Sequence, residues 1–565
     1  MFLRILRSGL GLVLSASALL LASSAWGSPP GALTEREKAL HVLNRLAFGP
    51  RPGDVDRVLR IGIRPWIEAQ LRPESLPDSQ LPARLASLET LSMAQSEIFD
   101  RFEKPLREAR ERRKLAAAAA SPTVNGEAQA SGAGNDARED MARLPPEQRP
   151  RRLVAELATA KVLRAAFSER QLNEVMVDFW MNHFNVYAAK GLDRVLLTSF
   201  ERDTIRPRIW GRFEDLLLAT AKSPAMLFYL DNARSVADPE HRPAARRSFR
   251  REPSPASAGT PETARAAKGG LNENYARELM ELHTLGVDGG YTQKDVTELA
   301  RVLTGWSMER AASGEFTFRP RAHDAGSKTV LGHVFAAGGM DEGEAMIRIL
   351  ARHPATARHL ARKLCERLVS DDPPDALIAR VAARSLASGG DLRETVRAVV
   401  ESSEFFDPAF FQAKVKSPFE YVVSAVRASG SSTDAGRPLL KQIEQMGEPL
   451  YLCQPPTGYS DAAAAWVNSG AIVARLNFAL ALASNRIPGT DVDLSRLLSP
   501  AESEDPARAA DALARGLLGR DLSPETRSTI ARRLQERAAA GEGAEASPLS
   551  LVAALVIGSP EFQRQ

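Results

Sequence analysis

Apolar positions recur with a helical period along nearly the whole chain, beginning with the segment TEREKALHVLNRLAFGP. The apolar stripe of this first segment consists of Ala39, Val42, Leu43 and Leu46. Thr34, with Glu37 three residues later, predicts a capping box at its start. No stretch shows the sustained alternation of polar and apolar residues that is typical of strands. The pattern therefore predicts a mainly α fold, built as a multi-helix globular array.

The length of 565 residues exceeds what one hydrophobic core usually serves, so we expect two or more helical sub-domains. Segments rich in Ala, Arg, Glu, Ser and Pro interrupt the helical pattern and are typical of flexible insertions. The predicted organisation is a signal peptide (1–27), an N-terminal helical part (36–110), a flexible insert (111–150), a second helical part (151–235), a second insert (236–270), a central helical part (271–485) and a C-terminal helical part (486–565).

The first thirty residues have the pattern of a secretory signal peptide. Arg4 and Arg7 precede a short apolar run, and Ala25 and Gly27 are the small residues before the cleavage position. No later run approaches the length of a membrane span. We therefore expect a protein without a transmembrane segment that is secreted across the inner membrane, into the periplasm or the extracellular space.

Charge and cysteine content narrow the functional classes. The formal net charge is +4, but basic and acidic residues are mixed throughout the chain, so nucleic acid is not an expected partner. Cys365 and Cys453 are the two cysteines, and an even count in an exported protein allows one disulfide between them. Two buried free thiols are the alternative.

The segment LNENYARELMELHTLGV, residues 271–287, carries the first candidate site. Tyr275, Leu279 and Leu282 recur at i, i+4 and i+7 and form an apolar stripe. The polar residues of a second face are Asn274, Arg277, Glu278 and Glu281. Because Glu278 and Glu281 are three residues apart, both carboxylates can reach one ligand. The alternative is a solvated face on which Arg277 pairs with Glu281.

Two further polar clusters contain histidine. In NEVMVDFWMNHFNVYAAK, His183 shares a helix face with Met176, Phe179 and Trp180, whereas Asp178 and Asn182 lie on a neighbouring face. His183 should therefore be at least partly buried, either as a hydrogen-bonded core residue or as a ligand.

His323 and Asp324 form the third cluster, in a loop flanked by Gly and Pro, where a metal or a water could bind. The motifs HExxH, GxSxG, Walker A and GxGxxG in a strand-helix context are absent from the sequence. The standard zinc protease, hydrolase and nucleotide-binding classes therefore have no support.

The order of several segments is similar to that of a known bacterial family. They are FWMNHF, SPAMLFYLDN, the long block LNENYARELMELHTLGVDGGYTQKDVTELARVLTGW, HPATARHLARKL, KVKSPFEYVVSAVRASG and PPTGYSDAAAAW. On these segments the chain resembles the family catalogued as domain of unknown function 1800, from about Leu40 to the terminal SPEFQ. Members of the family look like exported, mostly helical proteins with no established activity. Their genes often neighbour those of exported proteins similar to alkaline phosphatases and sulfatases.

The resemblance favours a buried polar site over a solvated helix face, because the polar clusters fall within the matching segments. One hypothesis is an extracytoplasmic enzyme, metal-assisted, with Glu278, Glu281 and Arg277 as catalytic groups and a divalent ion as cofactor. The candidate metal ligands are His183, Glu278, Glu281, His323 and Asp324, and the candidate binding side chains are Asn274, Asn182 and Trp306.

The alternative hypothesis is a non-catalytic helical binding or maturation partner of another exported protein, of the phosphatase or sulfatase type. In that case the polar stripe of residues 274–281 would be a structural network. The chain departs from the family pattern at Met181, where members commonly have His. A metal site that needs both histidines of that motif would be impaired here.

Overall fold

Helices dominate the computed structural model, which describes residues 31–120, 144–241, 270–309, 313–503, 505–539 and 547–565. The α-helices of the first half are Glu35–Arg45, Asp54–Ile61, Ile63–Leu71, Leu81–Leu85, Gln95–Ile98, Lys104–Ala120, Arg151–Phe167, Gln171–His183, Asp193–Ser199, Phe213–Ala221, Pro224–Tyr229 and Asn274–Glu281. Those of the second half are Gln293–Val302, Met340–Arg352, Pro354–Leu368, Asp375–Ala387, Leu392–Val400, Pro418–Ala428, Arg437–Gln445, Ser469–Ala483, Pro500–Ser503, Pro506–Leu518, Pro524–Ala539, Pro548–Ile557 and Pro560–Gln563. The predicted mainly α fold is confirmed.

Local capping signals begin several of these helices where the sequence predicts them. Thr34 accepts the backbone N–H of Glu37, and the Glu37 carboxylate accepts the backbone N–H of Thr34. Thr292 and Asp295 form the same reciprocal pair before Gln293–Val302. Each pair satisfies two N–H groups that a helix start otherwise leaves without partners.

Three antiparallel pairs of short strands accompany the helices. Trp306–Met308 pairs with Phe316–Phe318, Lys328–Val330 with His333–Phe335, and Ser432–Thr433 with Thr490–Asp491. Strands of two or three residues are too short for alternation to be recognised in the sequence, which is why the pattern did not reveal them.

The buried apolar side chains of the N-terminal, central and C-terminal parts form one connected cluster. Helix Pro418–Ala428 lies inside it, because all eleven of its residues are buried. Ser417 starts this helix through a capping box with Glu420. The helix packs against Arg151–Phe167, and these two helices carry several of the charged side chains described below.

The predicted signal peptide and most of the predicted inserts lie outside the described residues. Helix Lys104–Ala120 runs into the first predicted insert as far as Ala120, and Pro146–Gln148 forms a short 3-10 helix near its end. Within the described part of the chain, no helix is long and apolar enough to cross a membrane.

Candidate functional site

A polar cleft of about 710 Å³, a volume that includes its open mouth, lies among five parts of the chain. We call it the charged cleft. Its walls come from helices Arg151–Phe167, Gln171–His183 and Pro354–Leu368, and from residues 414–420 and 448–466. The charged residues that line it are Lys161, Asp178, Arg367, Lys414, Glu420, Glu448 and Asp461.

Arg367 is the centre of the ion network in the charged cleft. Its guanidinium lies 3.1 Å from Asp178 Oδ2, 2.8 Å from Glu420 Oε1 and 3.4 Å from Asp461 Oδ1. The Arg367 side chain is only 9% exposed, so these carboxylates compensate the cost of burying its charge. Together they raise the pKa of Arg367, and its charge is therefore permanent.

Two lysines extend the network on either side of Arg367. Lys161 Nζ lies 2.5 Å from Asp178 Oδ1, so Asp178 is shared between two cations. Lys414 forms an ion pair with Asp371 and donates to the backbone oxygen of Asp461 at 3.0 Å. Burial lowers the pKa of Lys414, although the Asp371 charge opposes this effect.

Glu448 differs from the other carboxylates of the charged cleft. It is buried, and its Oε2 accepts the backbone N–H of Phe419 at 2.8 Å. Burial, reinforced by the charge of Asp178 and opposed by the Phe419 N–H and the charge of Lys161, raises the pKa of Glu448 to about 7. Asp178 has two cations as direct partners, whereas Glu448 has a backbone N–H. The cleft therefore contains one carboxyl group that exchanges its proton near neutral pH.

The rim of the charged cleft is held by Asn182 and the aromatic rings of Tyr459 and Trp466. Asn182 Nδ2 donates to Tyr459 O at 2.8 Å, and Asn182 Oδ1 accepts the N–H of Tyr459 at 2.7 Å. Gly458 has φ 73°, and a Cβ there would lie 2.4 Å from Asn182 O, so the close approach requires glycine. The Tyr459 and Trp466 ring centroids are 5.9 Å apart.

Residues 563–565 brace one wall of the charged cleft. Val415 and Arg564 form an antiparallel bridge, in which Gln565 N donates to Lys414 O at 2.9 Å and Lys416 N donates to Gln563 O at 2.9 Å. Gln565 Nε2 also donates to Glu420 Oε2 at 2.9 Å. Three residues at the far end of the chain therefore hold both the backbone and a carboxylate of the cleft wall.

The predicted carboxylate pair of helix Asn274–Glu281 is partly exposed. Burial and the charge of Glu281 raise the pKa of Glu278. Glu281 accepts a hydrogen bond from the Tyr291 hydroxyl at 3.1 Å. Arg277 contacts neither of them in an ion pair within the described residues, since its guanidinium lies 3.5 Å from Glu273 and 2.8 Å from Gln293 Oε1.

The other predicted residues of this segment have mainly structural contacts. Asn274 Nδ2 lies 3.4 Å from the backbone oxygen of Leu230. Tyr275 and Leu279 are buried as expected, whereas Leu282 is half-buried and follows the last helical residue. Trp306, a predicted binding residue, is fully buried beneath Gly343.

His183 is buried, as its position among aromatic residues predicts. Its ring lies 6.1 Å from that of His283 and 6.3 Å from that of His359, measured between centroids, and His183 Nε2 is 3.2 Å from His283 O. Burial lowers the pKa of all three imidazoles, to about 3 for His283 and about 4 for His359. Met181, two residues earlier, lies in the wall of the charged cleft.

His323 belongs to a separate buried network. His323 Nδ1 is 2.8 Å from Thr304 O, and its Nε2 contacts Glu342. The ammonium of Lys328, which is fully buried, lies 2.7 Å from Glu342 Oε1 and 3.4 Å from His323 Nε2. A lysine cation thus already occupies the position beside this imidazole.

Asp324 pairs with Arg301 through two hydrogen bonds of 2.9 and 3.1 Å. The structure therefore brings Glu278 close to Glu281 and His323 close to Asp324, while His183 lies in its own histidine cluster. Among the described residues, no group of three or more His, Cys, Asp or Glu side chains is arranged to hold a metal ion.

Both cysteines are buried free thiols, which is the second of the two alternatives left open by the sequence. Burial raises the pKa of Cys365 to about 12 and that of Cys453 to about 11.

The charged cleft was largely missed at the level of sequence, although Asn182 was a predicted binding residue. Lys414 and Glu420 stand in KVKSPFEYVVSAVRASG, and Asp461 stands in PPTGYSDAAAAW, two of the segments that carry the family resemblance. The position of these residues in the matching segments was the sequence signal for the cleft. The sequence gives no such signal for Arg367 and Glu448, because neither lies in a recognisable motif.

A family model described as protein of unknown function (DUF1800) matches residues 41–564. The chain belongs to this family. The match includes every segment that lines the charged cleft in this DUF1800 member. No curated protein and no solved structure matches the chain.

Proposed function

We propose that this DUF1800 member is an enzyme that performs acid–base chemistry on a small polar substrate in the charged cleft. Glu448 would transfer the proton, and the ion network around Arg367 would orient the substrate. The observation that supports the proposal is Glu448 itself, a buried carboxyl group in the wall of a polar cleft with a pKa near 7. Perturbed carboxyl groups in clefts are typical of functional sites.

The neighbouring carboxylates have different environments, which suits a division of roles. A general acid or base is most effective when its pKa lies near the working pH, as for Glu448. Asp178 pairs with both Lys161 and Arg367. Glu448 would therefore exchange the proton, while Asp178 would hold the two cations in place.

The test combines a titration with a search for turnover. Carbon-13 NMR of glutamate-labelled protein, with Glu448→Gln to assign the signal, should show a midpoint near pH 7. Wild-type protein should deplete at least one small polar compound from a periplasmic extract followed by mass spectrometry, whereas Glu448→Gln should not. The exposed Glu444→Gln is the matched control and should behave as wild type. A midpoint near pH 4 to 5, the ordinary range of glutamate, would overturn the assignment.

The predicted divalent metal at Glu278, Glu281, His183, His323 and Asp324 is a separate proposal. It is supported by the proximity of the two carboxylates of helix Asn274–Glu281. Elemental analysis of wild-type protein and of the double variant Glu278→Ala, Glu281→Ala tests it. A metal content that is equal in both proteins would remove these carboxylates as ligands.

A second candidate function is the non-catalytic maturation or binding partner of an exported phosphatase-like or sulfatase-like protein. It is favoured by the ion network itself, because Arg367, Lys161 and Lys414 already have protein partners and would form a structural scaffold. Co-purification with such a neighbour, unchanged in Glu448→Gln, would support this function over the enzyme. Export on the predicted signal peptide is tested by sequencing the N-terminus of the protein recovered from the periplasm.

A further inference from the structure

One carboxyl group that lines the charged cleft takes part in no ion pair. Four carboxylates, Asp178, Glu420, Glu448 and Asp461, face three cations, Lys161, Arg367 and Lys414. All three cations form direct ion pairs with carboxylates, but none of them pairs with Glu448. Within the described part of the chain, Glu448 is therefore a buried carboxyl group that forms no direct ion pair, although the charge of Lys161 acts on it.

Aromatic rings line the same cleft as this carboxyl group. Burial, reinforced by the charges of Cys453 and Glu448, raises the pKa of Tyr459. Tyr459 and Trp466 are in contact with each other at the rim, and both line the cleft. A carboxylate beside aromatic faces is the usual environment for a bound ammonium group.

The same cleft already contains an ammonium group beside aromatic rings. Lys161 Nζ lies 4.8 Å from the centroid of the Phe419 ring and 5.3 Å from that of Tyr451, while it pairs with Asp178. The protein thus uses one carboxylate and two rings to hold its own amine. Glu448, Tyr459 and Trp466 supply the same kinds of group to the lining of the cleft.

We propose that the charged cleft binds a small polar molecule through a protonated amine, which is held by Glu448 and the faces of Tyr459 and Trp466. This inference rests on the cleft of the proposed function and specifies the chemical class of its substrate.

Binding of an amine should be linked to proton release. An ammonium beside Glu448 favours the ionised carboxylate and so lowers its pKa. Near pH 7 part of the Glu448 population carries a proton in the free protein, and that proton leaves when the ligand binds. Affinity should therefore increase as the pH rises toward 8, provided that the amine stays protonated.

Isothermal titration calorimetry with two matched pairs of probes tests the proposal. The probes are glucosamine against glucose, and ethanolamine against ethylene glycol. Each amine should bind at least about tenfold more tightly than its uncharged counterpart. At pH 7 the heat should depend on the ionisation enthalpy of the buffer, because a proton is released.

Glu448→Gln should lose at least about tenfold in amine affinity together with the proton release, whereas Glu444→Gln should keep both. Equal binding of amine and uncharged probes, unchanged binding in Glu448→Gln, or no binding of either amine at millimolar concentration would each overturn the inference. The NMR titration of Glu448 separates these failures from failure of the enzyme proposal, since it measures the proton affinity of Glu448 without any ligand.

Discussion

The side-chain amide of Gln565 donates a 2.9 Å hydrogen bond to Glu420 Oε2, a carboxylate that also lies 2.8 Å from the Arg367 guanidinium. Gln565 and Glu420 are 145 residues apart in the chain. A neutral amide from outside the cleft is therefore in direct contact with the ion network of the charged cleft.

Replacing Gln565 by Ala should lower the free energy of unfolding by about 1 to 3 kcal/mol, because a buried hydrogen bond to a charged group is lost. Gln565→Glu should cost more, since it places a second carboxylate beside Glu420. Urea denaturation followed by circular dichroism measures both, with the exposed Gln445→Ala as the control. Equal stability of Gln565→Ala and Gln445→Ala would show that the contact contributes nothing.

The raised pKa of Glu448 predicts a specific dependence of stability on pH. A folded pKa of about 7 exceeds the value of about 4.3 in an unfolded chain, so the folded protein holds this proton more tightly. The stabilising contribution is full below about pH 4 and is lost as the pH rises to about 7. From the size of the shift it is on the order of 3 kcal/mol.

Glu448→Gln removes this contribution. The stability of Glu448→Gln relative to wild type should therefore increase between pH 5 and pH 8, by on the order of 2 kcal/mol. Urea denaturation at the two pH values measures the change, and Glu444→Gln supplies the control. A difference that stays constant with pH would contradict the shifted titration.

The buried contact between Lys328 and Glu342 predicts that substitutions of the two residues have non-additive effects on stability. Lys328→Met should cost about 3 to 5 kcal/mol, because it leaves the Glu342 carboxylate buried without its cation. The double variant Lys328→Met, Glu342→Gln should cost less than the sum of the single changes, since no unpaired charge remains. Denaturant unfolding of the four proteins completes the cycle, and additive costs would show that the two side chains do not interact.

The two thiols should be slow to react in the folded protein. Burial raises the pKa of Cys365 to about 12 and of Cys453 to about 11, so little reactive thiolate forms at pH 8. A thiol reagent such as DTNB should therefore react slowly with native protein and should count both thiols in guanidinium without reductant. Cys453→Ser should then show one thiol, and a wild-type count of zero in denaturant would instead establish a disulfide.

Features that depend on neighbouring residues were predictable from the sequence. The cap at Thr34 needs only a partner three residues later, and it is confirmed. The apolar stripe of Ala39, Val42, Leu43 and Leu46 is buried as its period predicts. The helical period also places Leu282 in the apolar stripe of helix Asn274–Glu281. The helix ends before Leu282, and this residue is only half-buried.

The charged cleft could not be predicted in the same way. Arg367 and Asp178 are 189 residues apart in the chain. Their contact follows from the packing of helices and not from a local sequence pattern. The raised pKa of Glu448 arises from burial. The sequence around a loop residue does not indicate whether that residue is buried. Asn182, a predicted binding residue, shares a helix face with Asp178, and both line the cleft.

The bridge between Val415 and Arg564 also has a consequence for the timing of folding. A chain made from its N-terminus releases the segment around Val415 well before its partner, and the intervening residues must be synthesised before the pair can close. This wall of the cleft therefore closes only after Arg564 has been synthesised. The proposed binding of an amine should be absent from nascent chains that stop short of Arg564, even when their earlier helices are already folded.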